Sequence, residues 1–163
     1  MTQFVSTEWL AARLGASDIA IVDGSWHLPP TGRSGRGEYA TGHIPGAVFF
    51  DIDTVADTSS GLPHMLPSPD VFAAAAGGLG IDEGKTIIVY DQLGLFSAPR
   101  VRWMFQIFGA RDVRLLEGVL PKWRAEGRAR GPPRALGLVR AAAIGPRAGQ
   151  RPGRQRHLCE RCS

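Results

Sequence analysis

Apolar residues in the first 127 positions recur in two alternating patterns, short β-branched runs and stretches with helical spacing. The runs are Phe4 and Val5, Ile19 to Asp23, Ala47 to Phe50, Thr86 to Tyr90 and Val113 to Leu116, and each predicts a strand. Helical segments lie between them. Ser6 supplies an N-cap for a helix running through Leu14, with Gly15 as its stop. Residues around Glu38 to Thr41 predict a short helix ahead of the turn HIPG. Ser68 and Pro69 open a helix on which Phe72, Ala75, Ala76 and Leu79 share one face until Gly80 ends it. Val101, Met104, Phe105 and Phe108 mark the next helix, closed by Gly109, and Leu120 to Glu126 the last. Short apolar strands separated by helices argue for an α/β fold, a mainly parallel sheet with helices on both faces. The residues Asp91 to Ser97 then occupy a strand-loop-helix turn, where such folds carry their chemistry. That turn opens on a carboxylate and holds no nucleophilic thiol.

Composition changes this picture at one end only. The chain of 163 residues is long enough for one ordinary core, so one domain is expected over residues 1–127. It has no apolar run of about 18 residues and no basic-then-apolar leader, so no membrane partner is expected and the cytoplasm is the default location. The net charge of +4 is uneven: residues 128–163 hold nine arginines, no lysine and one acid, which leaves residues 1–127 net negative. This Arg/Gly/Pro-rich tail lacks any apolar period and is expected to be disordered. Two accounts of it stand side by side, a basic arm that binds phosphates and a shifted reading frame through GC-rich codons. Reading the gene in the other frames beyond codon 127 separates them. The only cysteines, Cys159 and Cys162, lie in this tail, so no disulfide framework holds the body together. With His157 they offer three ligands at cramped spacing, and no metal site is expected.

Four segments, EYATGHIPGAVFFDID, GLPHMLPSP, YDQLGLFSAPRVRWMF and LLEGVLPKWRAEG, closely resemble in this order the N-terminal half of two-domain sulfurtransferases, the rhodanese and 3-mercaptopyruvate sulfurtransferase family. The resemblance runs over about residues 4–127. It implies a rhodanese-like domain of the N-terminal, non-catalytic type. In that family only the C-terminal domain carries the catalytic cysteine, at the start of its strand-loop-helix turn. The cysteine takes sulfur from a small-molecule donor, 3-mercaptopyruvate or thiosulfate, as a persulfide and passes it to cyanide or a thiol, without cofactor or metal. The matching N-terminal loop begins with aspartate, as Asp91 does here. The implied partner is therefore a C-terminal rhodanese domain that these residues do not contain, and the chain alone is expected to be inactive.

On the same motifs, Asp53 of FDID and His64 of HMLP correspond to an acid and an imidazole that reach across the domain interface to a hydroxyl beside the catalytic cysteine. The resemblance gives them supporting roles, orienting that hydroxyl and moving a proton. The plainer account makes Asp53 the cap of a helix near Val55 and leaves His64 exposed. His43, opening the HIPGA turn, is expected to tie a loop by hydrogen bonds. Arg33 and Arg36 are candidates for drawing in an anionic substrate, against the plainer expectation that they are solvated. Trp9, Trp26, Trp103 and Trp123 are expected to anchor the core or a domain interface. Two residues depart from the family pattern, Arg102 where a second tryptophan is usual and Val119 where glycine is usual; a positive φ at Val119 would strain a β-branched residue. The alternative function is a non-catalytic rhodanese-fold binding module whose basic tail engages nucleic acid or an acidic partner, and of these readings nucleic acid is the less favoured.

Overall fold

The structure, a computed structural model, describes residues 3–131. The expectations for the tail beyond Gly131, including His157, Cys159 and Cys162, lie outside the described residues. Five strands, β1 Phe4–Val5, β2 Ile19–Asp23, β3 Val48–Phe49, β4 Thr86–Tyr90 and β5 Asp112–Leu116, form one sheet in the order β1-β5-β4-β2-β3. Every pairing is parallel, as the continuous apolar strands predict.

The period of two along each strand sorts the core into two layers. Ala20, Val22, Ile87, Val89, Val113 and Leu115 face one cluster, where α3 (Pro69–Gly78) and α4 (Ala98–Ile107) pack through Phe72, Ala76, Val101, Met104 and Phe105. Ile21, Ile88, Tyr90 and Leu116 face the other, covered by α1 (Thr7–Ala11), α2 (Gly35–Thr41) and α5 (Val119–Ala125) through Leu10, Tyr39, Leu120 and Trp123. In the first layer Phe72 meets Phe105 edge-on with centroids 5.1 Å apart, so truncating either ring should cost about 3–5 kcal/mol.

Element ends differ from expectation where backbone bonding overrides pattern. Helix α1 stops at Ala11 instead of Leu14, and the chain turns at Gly15 with φ +82°. Helix α2 starts early because the Ser34 hydroxyl accepts from Gly37 N at 3.1 Å. Strand β3 keeps only the two residues that pair with β2, while Ala47 and Phe50 are buried beside it. The chain continues as an ordered segment just past residue 127: Trp123 Nε1 donates to Ala129 O at 2.9 Å, and Gly131 N donates to His43 O at 3.0 Å.

The turn into α5 realises the strain raised for Val119, whose φ is +45°. Gly118 before it has φ +68°, and a Cβ there would lie 2.5 Å from Lys122 Cβ, so glycine is required at that position. From β2 the chain moves to β3 on one side; from β4 it moves to β5 on the other. The carboxyl ends of β2 and β4 therefore flank the topological switch point, the crevice where open α/β sheets place ligands.

Candidate functional site

At the end of β4 the chain turns through Asp91 to Ser97 into α4, and Asp91 is 1% exposed. Its Oδ1 accepts from the backbone N–H groups of Leu93, Gly94 and Leu95 at 3.0, 2.9 and 3.1 Å. Its Oδ2 accepts from Ser97 and Ala98 at 2.9 and 3.0 Å. Five converging amides at a helix start make an anion cradle, and the chain fills it with its own carboxylate. To aim those donors inward the loop uses left-handed backbone at Gly94 (φ +102°) and at Leu95 (φ +67°). Because Asp91 caps α4, the Ser97 hydroxyl makes no cap bond and accepts instead from Trp26 N at 3.1 Å.

Beside it, β2 ends in a second buried acid. Asp23 Oδ1 accepts from Ser25 N at 3.0 Å and from the Ser25 hydroxyl. Burial pushes its carboxyl above the usual range, the Ser25 bonds oppose this, and the charge on Asp91 adds to the rise. The Tyr90 hydroxyl accepts from Ile44 N at 3.2 Å, and burial, reinforced by Asp23, holds its pKa well above the ordinary phenol value. Tyr90 is thus a permanent hydroxyl that ties the HIPGA turn to the sheet.

The segment between β3 and α3 carries the two acid-base candidates and brings them together. His64 Nδ1 lies 3.3 Å from Asp53 Oδ1, within ion-pair reach. The contact is not aligned as a hydrogen bond, and Nδ1 is buried without another acceptor among the described residues. Asp53 does not cap a helix: none occurs near Val55, and it is Asp51 Oδ1 that accepts from Asp53 N and Thr54 N at 3.1 and 3.4 Å. The indole N–H of Trp26 donates to both Asp53 oxygens, at 3.2 and 3.0 Å. The Trp26 and His64 rings meet edge-on, centroids 4.9 Å apart. Arg100 Nη2 donates to the His64 carbonyl at 2.5 Å, across from a left-handed His64 backbone with φ +56°.

Of the other candidates, His43 stands apart, while Arg33 and Arg36 line a cleft shared with Asp53. His43 is buried against Tyr39, its Nδ1 2.9 Å from Tyr39 O, and ties its turn away from the crevice. Arg33 is consumed by a two-point grip on Glu38 at 2.6 and 2.8 Å, which holds the Glu38 carboxyl below the usual range with help from His27. Arg36 has only a 3.4 Å contact with Asp51 and lies over the Phe49 ring; it lines, with Trp26, Ser25 and Asp53, a cleft of about 200 Å³. Of the tryptophans, Trp123 is fully buried in the core, Trp103 is 39% exposed, and Trp26 stands at the site. Arg102 donates to Val113 O at 3.0 Å, a role its spacing does not reveal. Sequence reasoning missed the grip of Trp26 on Asp53 and of Arg100 on His64; the only signal was the position of Trp26 just past the end of β2 at the switch point.

The rhodanese-like domain family model matches residues 6–126. A protein of Arabidopsis thaliana named thiosulfate/3-mercaptopyruvate sulfurtransferase 2 is 50% identical over 123 residues, 76% of this chain and 36% of that protein. The 3-mercaptopyruvate sulfurtransferase of Escherichia coli (strain K12) is 46% identical over 126 residues, 77% of this chain and 45% of that protein. The crystal structure of SseA from Escherichia coli, a 3-mercaptopyruvate sulfotransferase described as having the "rhodanese" fold, superposes with a TM-score of 0.78 at 43% identity, covering 82% of this chain and 51% of that one. The chain spans less than half the length of these curated relatives.

Proposed function

The chain belongs to the rhodanese-like domain family, among relatives named as sulfurtransferases, and from that premise we propose that it is the non-catalytic, N-terminal-type half of a sulfurtransferase. Its reaction moves sulfane sulfur from 3-mercaptopyruvate or thiosulfate to cyanide or a thiol through a cysteine persulfide on a second rhodanese domain. Attack of that thiolate on the sulfur of 3-mercaptopyruvate forms the S–S bond and breaks the C–S bond. The electron pair leaves on pyruvate enolate, which takes up a proton.

The observation that carries the reading is the division of labour at the switch point. The cradle that would favour a thiolate is saturated by the Asp91 carboxylate, and the loop holds no cysteine. The Asp53–His64 pair lies open on the adjoining rim, Asp53 with a side chain 62% exposed. Leu62, Met65, Leu93 and Phe96, all exposed, stand on the same two loops and supply apolar surface for a second domain to cover. Asp53 and His64 are then groups this half contributes to a site completed by the other, orienting a hydroxyl and handling the enolate proton.

Thiocyanate release tests this. The full chain alone, given either donor and cyanide, is expected to be inactive. Residues 1–131 fused ahead of the C-terminal half of the Escherichia coli relative are expected to turn over, and His64→Gln to slow that turnover by about 10²-fold. Turnover by the lone chain, or a fusion indifferent to both Asp53 and His64, overturns the reading.

A further inference from the structure

Asp91 and the Asp53–His64 pair are joined by an unbroken line of contacts. Asp91 Oδ2 accepts from Ser97 N, the Ser97 hydroxyl accepts from Trp26 N at 3.1 Å, and the Trp26 indole N–H reaches both Asp53 oxygens. Phe96, from the same loop, stacks on Trp26 with centroids 6.2 Å apart and planes 11° from parallel. At the far end Arg100, on the first turn of α4, holds the His64 carbonyl.

We propose that Trp26 is the positioning residue of the Asp53–His64 pair, and that the Asp91-filled loop is the anchor that holds Trp26 in place. A carboxylate as exposed as that of Asp53 would otherwise spread over its rotamers. The indole N–H, shared between the two oxygens, fixes both the position and the plane of the carboxylate. The ring of the same residue limits the tilt of the imidazole, so one side chain sets both partners. Asp53 Oδ1 lies 3.3 Å from the buried Nδ1 but out of line for a hydrogen bond, so a small turn of the imidazole, still against the Trp26 ring, would bring an Nδ1–H onto the carboxylate that Trp26 fixes. In that tautomer Nε2, which has no hydrogen-bond partner among the described residues, is the basic nitrogen. The loop that lacks a nucleophile thus acts as a clamp. The use of this clamp in turnover rests on the sulfur-transfer reading; the clamp itself does not.

The test uses the full chain with 15N-labelled histidine and tryptophan. Unmodified, His64 should show the Nδ1–H tautomer, and the Trp26 indole proton should exchange more slowly than that of Trp103, whose ring is exposed. Trp26→Phe keeps a ring against His64 and removes only the N–H donor; it should leave the melting temperature nearly unchanged and turn His64 into a mixture of tautomers. Ser97→Ala should speed exchange of the Trp26 indole proton several-fold. An unchanged tautomer in a folded Trp26→Phe chain, or an indole proton of Trp26 that exchanges as fast as that of Trp103, overturns the positioning role. Unchanged indole exchange in Ser97→Ala overturns the anchor. Should Trp26→Phe fail to fold, the two exchange measurements decide. None of these readouts needs turnover, so an inactive fusion would count against the sulfurtransferase reading alone; in an active fusion, Trp26→Phe should lower kcat about tenfold at unchanged KM.

Discussion

Two loops meet at the switch point and differ in how completely their polar groups are satisfied. In the loop between β4 and α4, one buried carboxylate takes five backbone N–H groups, and the turn is closed against the sheet. In the segment between β3 and α3, Asp53 and His64 are held by a few contacts from outside, and the His64 Nδ1 stays without an aligned acceptor. The first loop is finished within this chain. The second leaves polar atoms of Asp53 and His64 open, which in the proposed function another domain completes. On the proposed function, the saturated loop costs much to break and does no chemistry, while the open one costs little to break and holds the groups that react. Stability and function should therefore part company between the two loops.

The largest effect expected from that contrast follows Asp91→Ala. It strands five amides that water can reach only if the loop opens, so unfolding stability should fall by about 3–5 kcal/mol. Denaturant unfolding of the full chain measures it. A loss below about 1 kcal/mol would mean that the loop rehydrates freely and that the contrast is false.

Asp53→Asn and His64→Gln should do the reverse. Asp53 is exposed and His64 half-buried, so stability should change by no more than about 0.5 kcal/mol for the first and about 1 kcal/mol for the second in the same unfolding experiment. In the fused enzyme each should cost about 10²-fold in turnover. Loss of folding without loss of turnover would exchange the roles assigned to the two loops.

Most of the scaffold was legible in the sequence because burial on both faces writes β2 and β4 as nearly unbroken apolar runs, β5 as Val113, Leu115 and Leu116 interrupted by Arg114, and their flanking helices as stripes. The loop contacts were not. Motif position singles out Asp53 and His64, but nothing in the spacing of Trp26, Asp53 and His64 says that the three meet. Their approach depends on the parallel order β4-β2-β3 and on the turn made by Asp51. Arg33 and Arg36, alike in sequence, part for a local reason: Glu38, one helical turn into α2, captures the first and leaves the second over Phe49.

A smaller effect tests that capture through pH. Arg33 holds the Glu38 carboxyl below its ordinary value, so the folded state binds the proton less readily than the unfolded chain. The stability this contributes is present above the unfolded value, near pH 4.3, and is lost as pH falls through the lowered folded value. Arg33→Met should therefore be less stable than the unmodified chain near neutrality, with the gap closing in acid. A gap that holds constant across the acid range would show that Arg33 acts by packing alone.

The smallest effect is expected at Val119, where two costs oppose. The residue is fully buried, and losing its side chain should forfeit about 1.5–2 kcal/mol of transfer free energy. Its φ of +45° is a conformation that a β-branched residue resists and glycine adopts freely, so Val119→Gly should recover about 1–2 kcal/mol of backbone strain. The two nearly cancel, and the net change should stay within about 1 kcal/mol. The same substitution at Val89, equally buried but in the middle of β4, has no strain to release and should cost about 3 kcal/mol or more. Denaturant midpoints of the two variants decide the matter, because equal losses at both sites would mean that the left-handed turn ahead of α5 stores no strain.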